Sequence, residues 1–91
     1  MEIKIEKNPD TSKLDQLNVK KWSIWEEAES EFPWQYPETE TCYILEGNVT
    51  VTPDGGTPVE LEAGDLVTFP KGMSCNWKIT KAIRKHYRFE S

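Results

Sequence analysis

An all-β domain is the fold class this sequence predicts, and three features predict it. Apolar and polar residues alternate at period two in one segment after another. From Val19 onward, turn signals of Pro, Gly, Asn and Asp recur about every eight to twelve residues, the spacing of a sandwich or barrel. Only one short stretch has helical spacing. At 91 residues the chain supports one core, so residues 1–91 are read as a single domain. Four Trp, three Tyr and three Phe make that core aromatic-heavy.

The elements follow in order. Ile3 and Ile5 alternate with Glu2, Lys4 and Glu6, a short edge strand. After Asn8-Pro9-Asp10, Leu14 and Leu17 lie one turn apart, and Thr11 or Ser12 is expected to cap a short N-terminal helix, the only one drawn. Phe32, Trp34 and Tyr36 share a face of the next strand, while Pro33 and Pro37 each remove a backbone donor and push that strand toward an edge or a bulge. The run Cys42-Tyr43-Ile44-Leu45 is expected to turn at Glu46-Gly47-Asn48 before Val49 and Val51 resume the alternation. Pro53-Asp54-Gly55-Gly56 is a hairpin turn, with one fixed φ and two residues free to take positive φ. Val59 and Leu61 mark one strand and Leu66 to Phe69 the next. Cys75, Trp77 and Ile79 then alternate, and a last strand carries Ile83, Lys85, Tyr87 and Phe89 on one face and Arg84, His86 and Arg88 on the other.

Composition excludes several classes of function. With 30% charged residues but many β-branched and aromatic ones, the chain is globular, not disordered. No apolar run approaches the ~18–20 residues of a bilayer span. The charged, alternating start is unlike a signal peptide, so a cytoplasmic protein with no membrane partner is expected. Residues 22–70 carry eleven acids and no Lys or Arg, whereas residues 71–91 carry six bases and one acid. A net charge of -5 repels phosphates, so no nucleic acid partner is expected. The basic last strand is instead expected to lie beside the acidic middle of the same sheet.

The stretch from Gly64 through Pro70 to Gly72 resembles the second conserved motif of the cupin superfamily, with glycines at tight turns bracketing a buried strand. Glu40, six residues and Gly47 resemble the end of the first motif. Trp34 and Tyr36 stand where that motif has two His, and Cys75 stands at the His of the second. Trp22, Trp25, the run Glu40 to Gly47 and the ending Arg84-Lys85-His86-Tyr87 extend the resemblance to the short single-domain cupins grouped with the ureidoglycine aminohydrolase cupin domain. The resemblance implies a small double-stranded β-helix, or jelly-roll, barrel. The aminohydrolase is a two-domain metal enzyme of purine catabolism, and three of the four usual cupin metal ligands are replaced here.

A catalytic metal normally needs about three protein ligands and an open position. Glu40 and Cys75 qualify, while Trp34 offers only an N–H donor. No metal cofactor is therefore expected; if one bound, Glu40 and Cys75 would hold it. Two readings of Trp34 and Tyr36 stand side by side: they fill a small barrel, or they line a pocket for a flat or apolar small molecule. On the second reading Trp34, Tyr36, Glu40, Cys42, Cys75 and Trp77 form a ligand site. Glu40 is the candidate catalytic group, because a carboxyl inside an aromatic barrel loses solvent and becomes suited to acid–base work. Its alternative is a hydrogen bond to Tyr36 or to a loop N–H. The leading expectation is a small-molecule-binding cupin. The alternative is a small-molecule enzyme related to ureidoglycine aminohydrolase, using Glu40 with Tyr36 or Cys75. His86 is expected at the surface or rim, the two cysteines as free thiols, and Trp22 and Trp25 in the core or at a homodimer interface.

Overall fold

The structure, a computed structural model, describes residues 2–90. It comprises strands β1 (Lys4–Lys7), β2 (Ser23–Glu27), β3 (Ser30–Gln35), β4 (Thr39–Pro53), β5 (Val59–Glu62), β6 (Asp65–Phe69) and β7 (Ser74–Glu90), and one helix, α1 (Thr11–Leu17). All strand pairing is antiparallel. Among the described residues no helix is long and apolar enough to cross a membrane.

The two long strands organise everything else. The first half of β4 pairs with β6 on one side and the last third of β7 on the other, with β1 and β2 completing the order β1-β6-β4-β7-β2. The second half of β4 pairs with β5 and the first part of β7, and β3 adds to the far side of β7. One sheet thus becomes two facing halves that share β4 and β7 and enclose a core running from Tyr36 and Phe69 through Val51 and Leu61 to Ile83.

The expected turn at Glu46-Gly47-Asn48 is instead a bend inside one continuous strand. The register of β4 on β7 shifts between Ile44 and Val49, and Gly47 adopts φ +100°. A Cβ there would run into the Ala82 carbonyl oxygen and lie 2.7 Å from that of Lys81. Glycine therefore lets β4 bulge and cross β7 without losing its partner. The two separate strands expected after Gly72 are likewise the single β7, bent opposite Gly47. The Pro53–Gly56 hairpin forms, closed by Gly56 N–H donating to the Pro53 carbonyl at 2.9 Å, with only Gly55 of its two glycines at positive φ.

The cap of α1 is Asp10, not Thr11 or Ser12: its carboxylate accepts from Lys13 N–H at 2.9 Å. A further turn of 3-10 helix, Val19–Lys21, follows. β1 lies at the sheet edge, where Ile5 is left exposed and Ile3 packs on the core. The expected charge pairing within the sheet is present: Arg84 on β7 bridges Glu26 on β2 at 3.1 Å.

Candidate functional site

β3 and β7 bring aromatic residues together because alternate positions on neighbouring strands face the same way. Phe32 and Trp34 project from β3, and Tyr36 lies just past its end. Trp77, Lys85, Tyr87 and Phe89 project from β7, Glu40 from β4 and Trp25 from β2. Together they line a cavity of about 190 Å³ at one mouth of the fold. Its walls are built of ring contacts. Phe32 stacks on Trp77 at 6.2 Å, and Trp25 meets Trp77 edge-on at 6.0 Å. Tyr36 stacks on Phe69 at 4.7 Å with the planes 7° apart.

Tyr36 and Trp34 part company although they alternate. Tyr36 is 1% exposed, its backbone held by Met73 and Gly72 at 3.0 and 2.7 Å, whereas Trp34 is 45% exposed at the rim. Tyr36 therefore fills core and borders the cavity at once, and Trp34 acts only at its edge. The Tyr36 hydroxyl accepts from Trp77 Nε1 at 3.1 Å. Burial above all, with the Glu40 charge adding to it, pushes the phenol well above its ordinary range and keeps it protonated.

At the buried end of the cavity Lys85 Nζ donates to Glu40 Oε2 at 2.7 Å, with both side chains less than a tenth exposed. The ammonium also lies over the rings of Trp77 at 4.6 Å and Trp25 at 5.0 Å. This replaces both sequence expectations for Glu40. The carboxyl is not a lone desolvated acid, and its partner is neither Tyr36 nor a loop N–H. Lys85 is the site residue that sequence reasoning missed. The available signal was a single cation on a face otherwise composed of Ile83, Tyr87 and Phe89, a placement that a long, costly-to-bury side chain takes only when paired.

Neither cysteine lines the cavity. Cys42 shares the inward face of β4 with Glu40 but is fully covered, and burial pushes its thiol up to about 12. Cys75 is 3% exposed, its Sγ donating to the Trp34 carbonyl at 3.6 Å, and burial raises it too. Both are free thiols. His86 is not a surface residue: it is buried at 9% exposure, with Nδ1 3.1 Å from the Trp22 carbonyl oxygen. Trp22 is half-buried, donates to the Leu17 carbonyl and carries the Arg88 guanidinium over its ring.

The donor set does not fit a cupin metal. Glu40 is engaged by an ammonium, Trp34 has no lone pair to offer, Tyr36 holds its proton and Cys75 is turned to a backbone carbonyl. Among the described residues no three of His, Cys, Asp and Glu gather closely enough to hold an ion.

A bent antiparallel barrel of two half-sheets with its site at one aromatic-lined mouth is the architecture of a small jelly-roll cupin. The chain belongs to the EutQ-like cupin domain family, whose model matches residues 14–87. It is 54% identical to a DUF861 family protein from Thermotoga maritima, with a TM-score of 0.95 over 98% of this chain and 100% of that one. It is 26% identical to the Clostridium difficile EutQ protein, with a TM-score of 0.64 over 70% of this chain and 50% of that one. A DUF861 protein of unknown function from Pseudomonas syringae is also 26% identical, with a TM-score of 0.64 over 70% of this chain and 28% of that one. No curated protein matches.

Proposed function

We propose that this domain binds a small, flat, uncharged organic molecule in the aromatic cavity above the Glu40–Lys85 pair. The cavity carries the reading: about 190 Å³ of space walled by rings, with three polar residues, Glu40, Lys85 and Tyr36, also lining it. Ligand sites are mostly apolar with a few placed polar atoms, and those of drug-sized compounds reach roughly 300 Å³ or more. The smaller volume here suits a single ring with a short substituent. Because the buried carboxylate and ammonium already neutralise each other, a charged ligand would leave one charge without a partner. A neutral ring stacks on the walls and exchanges hydrogen bonds with the pair.

The test is a titration of tryptophan fluorescence with single-ring compounds, since Trp25, Trp34 and Trp77 all line the cavity. Saturable quenching that weakens in Trp34→Ala is expected. Absence of any saturable change across neutral, anionic and cationic members of the panel would sink the reading.

A second reading, a small-molecule enzyme related to ureidoglycine aminohydrolase, draws support from Glu40 and Tyr36 bordering one cavity. It would use Glu40 for proton transfer and Tyr36 as a hydrogen-bonding group; Cys75, outside the cavity, takes no part. Turnover of a bound compound that is lost in Glu40→Gln while binding persists is the expected sign.

A further inference from the structure

Lys85 is the one cation among the described residues that line the cavity, and its buried amine lies over the rings of Trp77 and Trp25. Within 2.7 Å stands a carboxylate able to take a proton from it, and Tyr36 lines the same space. Because the Tyr36 hydroxyl accepts from Trp77 Nε1, its own hydrogen remains available to an incoming oxygen. Removal from water is what frees the amine of lysines that attack carbonyl compounds; here the Glu40 carboxylate and the Trp rings hold the ammonium, so the free amine forms only as Glu40 takes its proton.

We propose that Lys85 condenses with single-ring aldehydes or ketones held in the cavity, forming an imine, with Glu40 carrying the proton. This rests on the cavity being a ligand site, as argued above, and adds a chemical class to it. The steps balance without any further reactant. Lys85 passes one ammonium proton to the Glu40 carboxylate, and the freed amine pair attacks the carbonyl carbon. As the C–N bond forms, the carbonyl π pair moves to oxygen, which Tyr36 hydrogen-bonds. Loss of a second proton from nitrogen to that oxygen gives the neutral carbinolamine. The protonated Glu40 then supplies its proton to the hydroxyl, which leaves as water, and the nitrogen lone pair completes the C=N bond of a protonated imine. The net change is one water released and one cation retained beside the Glu40 carboxylate.

The experiment treats the full chain with benzaldehyde and cyanoborohydride, then maps the reduced benzyl adducts by peptide mass spectrometry, with and without benzyl alcohol as a non-carbonyl competitor. Fluorescence quenching by benzyl alcohol is recorded in parallel. Labelling of Lys85 at least about tenfold faster than of the exposed lysines, the modest end of what positioning supplies, and slowed by benzyl alcohol, is expected. Saturable quenching by benzyl alcohol with Lys85 labelled no faster than the exposed lysines would overturn the imine and leave the binding reading standing. Neither quenching nor selective labelling would overturn both. Mapping in the unmutated protein keeps the result independent of whether Lys85 variants fold.

Discussion

Lys85 Nζ and Glu40 Oε2 meet 2.7 Å apart inside the barrel mouth, although 45 positions separate the two residues. The pair is joined only because β4 and β7 lie side by side with their inward faces matched, and it supplies the sole charges of an otherwise aromatic cavity. Each charge is tolerable there because of the other, and that mutual dependence is measurable.

Glu40→Gln leaves the ammonium buried without its counter-charge, and a loss of about 3–5 kcal/mol of stability is expected. Lys85→Met alone should cost a similar amount. The double variant Glu40→Leu with Lys85→Met is expected to recover most of that loss, since a hydrophobic replacement of both partners is often neutral or stabilising. Chemical denaturation of the four proteins gives the coupling. If the single variants cost as little as exposed ion pairs do, the pair is not desolvated as the structure has it.

One aromatic residue of the core and one at the cavity rim should separate stability from binding. Phe69, fully buried against Tyr36, is expected to cost about 3–5 kcal/mol on truncation to Ala. Trp34→Ala should cost below about 1 kcal/mol, because its ring is nearly half exposed at the rim. Ligand-induced quenching, by contrast, should weaken in Trp34→Ala.

The Cys42 thiol has its ordinary value of 9.0 raised to about 12 by burial. A raised thiol value means the fold favours the protonated form. The stabilisation this gives is fully present below pH 9 and is lost as pH climbs from 9 toward 12. Stability measured across that window should fall less steeply in Cys42→Ala than in the parent chain. Native protein at pH 8 should also react with a disulfide reagent at Cys42 only as fast as it unfolds; rapid labelling would mean the thiol is reachable.

Gly47→Ala places a side chain at φ +100° and against the Ala82 and Lys81 carbonyls. Backbone strain of this kind costs about 1–3 kcal/mol by itself, and the clash adds to it. Gly55→Ala, also at positive φ but with open space around it, should cost clearly less. Equal costs at the two sites would deny that the crossing of β4 over β7 requires glycine.

Local sequence determined the short strands β1, β3, β5 and β6, the helix and the aromatic identity of one barrel mouth. Alternation at Phe32, Trp34 and Tyr36, the buried run of β6 and the Pro53–Gly56 hairpin are properties of neighbouring residues, so they were legible without coordinates. The resemblance of Glu40 through Gly47 to the first cupin motif pointed to β4 as lining the candidate site. Tertiary structure decided whether Gly47 turns the chain or bends it, because that choice rests on the Ala82 carbonyl arriving opposite. It decided that Trp34 ends at the rim while Tyr36 is sealed in, since the packing of Phe69 and the hold of Met73 and Gly72 act on only one of them. It also selected Lys85 as the partner of Glu40. No local pattern carries that pairing: it depends on the register of two long strands, and the cost of leaving either buried charge alone forces them together.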